Sequence, residues 1–422
     1  MTTLRSWKEQ QSARLRGVFP GWWMVGLAVA LQIPLHALFF SSFGLYFPIL
    51  QSEFGWSTTA ISLAVVLKQI LAAILSPIQG WLLHRYGPKA VMTVGIGFIV
   101  VGLVSFSLVN SLSTFYLAQL VMMFGATLTG MISLAAVMVN WFERRRATAL
   151  SLMTIGMTIG GLMAPLLAGA LIFFGWREVA LASGVIILLG FPLVRSFKNR
   201  PEDIGLKPDG IEEPDEIESS ATTKIEVRSA RQALKTRAFW LVSLGHGLAV
   251  TAVSAIGVHF VNHLITKGYS LERGAFFLAI VTAMSLVGKL AGGYLGDRFP
   301  RHYLASIGML GHTVALVLLV TGTSMLSLYI FAITQGISWG LRGPMMSALK
   351  ADFFGRHSFA KITGFSQVIV MVGSALGPIV CGLSLDWFGT YSHGFSSIAV
   401  LTLFGSLCFL FLGRPGQTQT LK

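Results

Sequence analysis

Three basic residues stand where an apolar chain has least use for charge: Arg342 in "GISWGLRGPMMSAL", Lys289 in "MSLVGKLAGG" and Lys68 in "AVVLKQILAA". A cation in hydrocarbon costs several kcal/mol unless it has a partner or faces a water-filled cavity. Every Asp and Glu, however, falls in a loop or at the end of an apolar run: Glu53, Glu178, Glu272 and Asp386 on one side, Asp297, Asp352 and the rest on the other. No carboxylate shares the depth of Arg342 and Lys289. The chemistry this points to is anion recognition, with the ligand as the missing counter-ion. Arginine would bring a bidentate fork and lysine a mobile point charge. Simpler readings stand beside these: Arg342 could tie down carbonyls around Gly340, Gly343 and Pro344, and the long stem of Lys68 could carry its ammonium to an interface.

Polar companions sit at similar depth. His36 and Gln32 lie in the first apolar run, His246 about 14 Å from Arg237, and Gln335 and Trp339 a turn or so before Arg342. A histidine there also serves as an interhelical hydrogen-bonder, and His259, near a run's end, needs only an interfacial role. The expected substrate-binding set is Arg342, Lys289, Lys68, His246, His36, Gln335 and Trp339. No run pairs a nucleophile with a base or clusters metal ligands, and Cys381 and Cys408 read as packing residues. No catalytic residue, metal or cofactor is expected, and an enzyme is disfavoured.

The elements that must position these residues are membrane helices. Of 422 residues 54% are hydrophobic and 11% charged, with mean hydropathy +0.72, which excludes an ordinary soluble domain. A bilayer core needs roughly 20 apolar residues per helix. Twelve candidate spans follow, at about 20–46, 57–82, 90–110, 112–139, 148–174, 178–196, 238–263, 273–296, 303–322, 325–350, 361–385 and 394–412. Helical rise puts Arg342 roughly 16 Å from Phe353, Lys289 about 12 Å from Asp297 and Lys68 about 18 Å from Trp56.

The net charge of +14 follows topology rather than nucleic-acid binding. About 25 of the Lys and Arg residues fall in the tails and alternate loops and only about three in the opposite loops, which places both termini in the cytoplasm. The N-terminal tail is polar and basic with no cleavable signal. The expected organisation is a tail over 1–19, a six-helix bundle over 20–196, a cytoplasmic linker over 197–236, a second bundle over 237–412 and a tail over 413–422. The linker's acidic middle, Glu212 to Glu218, reads as solvated chain.

The two halves repeat at an offset of about 213 residues. "GWLLHRYG" matches "GGYLGDRF", pairing Arg85 with Arg298; "WFERR" matches "FFGRH", pairing Arg144 with Arg356. "GGLMAPLLAG" matches "GSALGPIVCG", pairing Pro165 with Pro378 and Gly169 with Gly382. An even number of spans separates the copies, so the repeat is parallel, as in transporters whose two bundles rock about a central site. Small residues at three-to-four spacing, Gly156, Gly160, Gly161 and Gly169 in span 5 and Gly373, Gly377 and Gly382 in span 11, let backbones approach closely.

With these loops and the six-plus-six topology over its whole length, the chain resembles the major facilitator superfamily. "PGWWMVGLAVAL", "NWFERRRATALSLMTIGMTIGGLMAPLLAG" and "RPEDIGLKPDG" make it similar to the monocarboxylate transporter and oxalate:formate antiporter branch. The resemblance implies gating through Arg85, Asp297, Arg298, Arg144 and Arg356 and through Gly160, Pro165, Gly377 and Pro378. It also implies carboxylate binding by the basic residue of span 8, here Lys289. Two positions depart from the pattern: His84 replaces the usual loop acid that Asp297 keeps, and Ser285 replaces the aspartate that precedes the basic residue in proton-coupled members.

The expectation is therefore an all-α membrane protein with the major facilitator fold. It would carry small mono- or dicarboxylates by alternating access, as a proton symporter or an anion exchanger. It would be a monomer in a membrane, bacterial and inner, with lipid, an organic anion and a proton or counter-anion as partners and no nucleic acid. A carrier of neutral or zwitterionic metabolites, an exporter of aromatic compounds and a non-transporting sensor are the alternatives.

Overall fold

The computed structural model describes residues 19–40, 42–210 and 230–413. Among them, nine helices are long and apolar enough to cross a membrane, and a bent pair, Arg146–Leu162 with Pro165–Phe174, makes a tenth. Two of these helices hold two passes each. Thr58–Ser107 contains spans 2 and 3, Met325–Phe388 contains spans 10 and 11, and each is interrupted at a glycine with non-helical backbone, Gly87 (φ 79°) and Gly355 (φ 73°). Positive φ suits glycine because it has no Cβ to clash.

The first of these helices turns back on itself. Gln79 donates to the Thr127 carbonyl at 2.5 Å, and a Cβ on Gly95 would lie 2.2 Å from the Thr129 hydroxyl. Residues 79 and 95 thus flank the same turn of span 4, whereas a straight helix would hold them roughly 24 Å apart. Twelve passes result, in two six-helix bundles.

Local chemistry sets the helix starts, and it repeats between the halves. Ser57 caps span 2 by accepting from the Ala60 amide, and Ser270 caps span 8 by accepting from Arg273. Ser111 and Ser324 do the same for spans 4 and 10. Each pair is separated by the repeat offset of about 213, so the N-terminal amides that a helix cannot satisfy internally are capped in the same way in both bundles.

The expected spans differ from the structure where proline and glycine intervene. Span 1 is Gly21–Leu35, then a π-helical turn His36–Phe40 following Pro34, then Phe43–Phe54. Span 4 divides at Gly130 into Leu112–Thr129 and Met131–Trp141. Span 5 bends by 41° beside Pro165, whereas its counterpart runs through Pro378 without a break.

The bundles meet at one end, the end bearing the basic loops 2–3, 4–5, 8–9 and 10–11. The N-terminal core takes in Ala348, Ala351, Phe359 and Ala360 from the other half, and one C-terminal cluster takes in Ala147. The second C-terminal cluster, toward the far end, draws on its own half alone. Large apolar side chains such as Ile172, Phe173, Leu189 and Trp387 stay exposed around the outside, as a lipid-facing surface requires.

The acidic middle of the linker and both tails lie outside the described residues. The start of the linker is ordered on the N-terminal bundle: it forms 3-10 turns at Pro201–Ile204 and Pro208–Gly210, and the Asp209 carboxylate accepts from the amides of Glu143 and Arg144, both at 2.7 Å.

Candidate functional site

Spans 5 and 8 cross at the seam between the bundles, and Lys289 sits at the crossing. Its Nζ donates to Thr158 Oγ1 at 2.6 Å and to the Thr154 carbonyl at 3.3 Å, both on the opposite half. The close approach comes from glycine. A Cβ on Gly293 would lie 3.1 Å from the Thr148 Cα, and a Cβ on Gly340 would lie 2.6 Å from the Lys289 amide. The seam repeats with pseudo-symmetry: a Cβ on Gly80 of span 2 would lie 3.0 Å from the Lys361 Cα of span 11, as one on Gly293 of span 8 would lie against Thr148 of span 5.

Beside Lys289, within range of its charge, is His36, which stacks on Phe40 (centroids 4.8 Å apart) and leaves Nδ1 buried without a partner. Gln32, one turn earlier, is buried with Nε2 unpartnered. Spans 1, 5 and 8 therefore bring one ammonium, two threonine oxygens and an imidazole together, with the Gln32 amide one turn away along span 1. No carboxylate pairs with Lys289 among the described residues. Donors left without acceptors in a low-dielectric seam suit a ligand that is an acceptor and negatively charged.

The other expected site residues go elsewhere. Lys68 lies over the Phe43 ring, 4.0 Å from its centroid, a cation–π contact with span 1. Arg342 points into the C-terminal bundle, its Cβ 3.2 Å from where one on Gly308 of span 9 would stand. It is 2% exposed, with Nε and Nη1 unpartnered. His246 lies within range of its charge. Gln335 accepts from His312 at 2.9 Å, and Trp339 packs on the far-end core of the C-terminal half. No hydrogen bond or common partner joins Arg342 to Lys289 among the described residues.

At the basic end a carboxylate latch closes the seam. Asp297, at the end of span 8, accepts from the amides of Ala147 and Thr148 at 2.8 and 3.0 Å, capping span 5 of the other half. Asp352 of span 10 bridges Arg146 at 2.7 Å and Arg301 at 2.6 Å. The repeat-related position is different: His84 contacts the His357 carbonyl at 3.2 Å, ring against ring.

The expected gating residues divide. Arg356 reaches Glu202 at 2.5 Å and so ties span 11 to the start of the linker. Arg298 stacks on Tyr294 of its own helix, 3.8 Å from the ring centroid, and is exposed, as is Arg85. Arg144 is exposed while its amide is held by Asp209. A Cβ on Gly160 would lie 2.5 Å from the Ile33 carbonyl of span 1, and one on Gly377 would lie 2.2 Å from the Thr251 carbonyl of span 7, so both pack within their own bundles. Pro165 marks the bend of span 5, and the Pro378 carbonyl accepts from His259 at 3.0 Å.

Three participants escaped the sequence reading. Arg146 belongs to a loop triplet whose members differ only in burial; Asp352 and Lys350 look like ordinary span ends. Burial of Lys350 to 2% exposure is a tertiary outcome. A cavity of about 460 Å³ lies between span 1, the outer half of span 5 and span 6. It is lined by apolar residues apart from Glu178 and Ser183, holds none of these groups, and sits where span 5 bends away.

The sequence model described as Major Facilitator Superfamily matches residues 29–302 and 268–422. The chain belongs to that superfamily. Its relatives include monocarboxylate transporter 13 of Rattus norvegicus, 27% identical over 393 residues covering 92% of this chain and 88% of that one. The MFS transporter asaE of Aspergillus flavus is 24% identical over 366 residues, 85% and 78% of the two chains. Among solved structures the superfamily transporter FucP in the outward conformation superposes with TM-score 0.73 at 14% identity, covering 92% of this chain and 98% of that one. The protein is thus a multi-pass membrane transporter of the major facilitator fold, a family of small-molecule carriers rather than enzymes, and it resembles the monocarboxylate transporters.

Proposed function

We propose that this superfamily member carries small organic anions, mono- or dicarboxylates, by alternating access. Lys289 would be the residue that holds the carboxylate. The observation that carries this reading is an ammonium at the seam of the two bundles whose described partners are two neutral threonine oxygens of the opposite half. A carboxylate arriving there supplies the missing charge. By drawing on the Thr158 hydroxyl and His36 as well as Lys289, it couples the two halves through the ligand itself. The similarity to monocarboxylate transporter 13, a protein named for such substrates, supports the same class.

In this reading the joined basic end is the cytoplasmic side and both termini lie there, in a bacterial inner membrane. The latch of Asp297 and Asp352 then holds an outward-open state, and transport requires its release. Without a carboxylate at Ser285, a coupled proton would use His36 or the substrate itself; an exchanger would need neither.

Uptake of labelled lactate, pyruvate, oxalate and benzoate into proteoliposomes tests the reading, for the wild type and Lys289→Gln, with and without an imposed pH gradient. Saturable uptake that falls at least about 100-fold in kcat/KM in the variant is expected, since a charge-assisted pair contributes about 3 kcal/mol. Uptake unchanged by the substitution removes Lys289 from the site, and no uptake of any acid overturns the substrate class.

A further inference from the structure

The cavity of about 460 Å³ between spans 1, 5 and 6 is a groove about one leaflet deep, at the end opposite the basic loops, with all its walls in the N-terminal half. It runs from Met163 to Phe174 along span 5 and from Glu178 to Ile186 along span 6, about 16 and 12 Å of helix. Half a bilayer core measures about 15 Å. Leu166, Phe174 and Ile186 are exposed on its rim, so it opens to the surrounding hydrocarbon. Of its two polar residues, Ser183 is satisfied within its helix by donating to the Val179 carbonyl at 2.7 Å. Glu178 is not. It is exposed at the mouth, beside the turn between spans 5 and 6, where a Cβ on Gly175 would lie 2.8 Å from its Oε2. No hydrogen bond or ion pair holds its carboxylate among the described residues. The neighbouring cation is engaged elsewhere: Arg177 binds Glu53 at 2.5 Å and the Val109 carbonyl at 3.2 Å. The groove exists because span 5 bends by 41° beside Pro165, whereas the matching Pro378 lies in an unbroken helix. Proline alone therefore does not impose the bend, and a groove left empty would forfeit the contacts its walls can make.

We infer that this groove binds one phospholipid of the far-end leaflet, its acyl chain lying between spans 1, 5 and 6 and its primary-ammonium headgroup, that of a phosphatidylethanolamine, on the Glu178 carboxylate. Depth selects a lipid chain over a partner helix. A membrane helix packs through the whole core of about 30 Å, and the groove stops at half of it. Apolar walls alone do not choose among lipids, because one tail is as apolar as another. The carboxylate does choose. It accepts hydrogen bonds from a primary ammonium, has none to accept from a trimethylated one, and repels a headgroup of net negative charge. The lipid sits behind the ligand site: Thr158, which accepts from Lys289, precedes Met163 by about 8 Å along span 5. It thus props the bend of the helix that carries a partner of Lys289.

The test uses the full-length protein, stripped of lipid in a mild detergent and titrated with phosphatidylethanolamine, phosphatidylcholine or phosphatidylglycerol of identical chains while thermal unfolding is followed. Saturable stabilisation by phosphatidylethanolamine is expected, with the other two needing about fivefold more lipid. Glu178→Gln should raise the phosphatidylethanolamine requirement about fivefold and erase the preference among headgroups. Ala182→Trp, which fills the groove from span 6, should remove the saturable response to all three lipids. Glu178 also stands in the first turn of span 6, where a carboxylate favours the helix dipole. Were that its whole role, Glu178→Gln would lower the melting temperature equally at every lipid concentration and leave the titration midpoint unchanged, which overturns the proposal. Equal responses to the three headgroups in the wild type, or stabilisation by dodecane alone that matches phosphatidylethanolamine, also overturn it. So does a lipid response that survives Ala182→Trp in a folded protein. Should Ala182→Trp fail to fold, Glu178→Gln decides. Neither anion nor transport enters this readout, so the outcome is independent of the uptake assay on Lys289.

Discussion

Removing the carboxylate at Asp297 should unlatch the basic end. In the structure this side chain caps span 5 of the opposite bundle through two amide hydrogen bonds, 2.8 and 3.0 Å, and its side chain is only 12% exposed. A hydrogen bond to a charged group contributes about 1.5–3 kcal/mol, and the carboxylate also meets the positive end of the helix dipole. When the seam parts, water takes up the freed amides, so about 3 kcal/mol is a reasonable net for Asp297→Ala. That corresponds to roughly a 150-fold shift of population away from the joined state. Ser151 reports on it: it is 1% exposed, and its Cβ would lie 3.0 Å from one on Gly293, so it is covered only while the bundles are joined. With Cys381 and Cys408 replaced by alanine, a Ser151→Cys variant is labelled by a membrane-impermeant maleimide from the basic side. The rate should rise by about two orders of magnitude on adding Asp297→Ala. His84→Ala, which removes a single longer contact, should change it by less than about fivefold. Equal effects of the two substitutions, or no effect of either, would refute the idea that the carboxylate copy of the loop is the stronger latch.

Other outcomes follow from packing and charge. Gly340→Ala would place a Cβ 2.0 Å from the Ser285 carbonyl and should lower the melting temperature through overpacking of at least about 1–3 kcal/mol. Gly343→Ala, with open space around it, should be neutral or slightly stabilising by the same measurement. Gly87→Ala should also destabilise, because φ of 79° costs an L residue about 1–2 kcal/mol and Asn199 Nδ2 stands 2.6 Å from the new methyl. At the far end Glu53 is held below the usual carboxylate range by Arg177 and then by Trp176. A depressed folded value means the contribution is present above the ordinary carboxylate pKa and lost as pH falls through the folded one. Acid unfolding followed by tryptophan fluorescence should therefore show a Glu53-dependent loss only below about pH 4, absent in Glu53→Gln. The pair is more than a third exposed, so the effect stays below about 1 kcal/mol.

Fold class was legible because hydrophobic length and charge asymmetry are properties of the chain. Any helix that crosses a bilayer needs its run of apolar residues, and a parallel repeat carries the same loops and caps twice. Gly80 and Gly293 stand at matched positions in the two halves, and the structure puts both at the seam. The presence of cations without acids was equally visible, since it needs only the residue order.

Where each cation points was not. Lys289 and Arg342 look alike in one dimension, but the rotation of span 8 turns one toward span 5 and the rotation of span 10 turns the other toward span 9. That rotation is set by glycines that admit a neighbouring backbone, and their neighbours lie far away in sequence. Lys350 shows the limit most clearly. Counted along the helix it belongs to the end of a span, and only the packing of span 10 inside its bundle buries it. Arg144, Arg145 and Arg146 make the same point at the latch: three identical residues in a row, of which Asp352 takes one because the helix start brings only that side chain into the seam. Composition and period thus determined the membrane, the number of passes and the chemistry available, while contacts between distant residues decided which charges share a ligand, which close the gate and which remain unpaired.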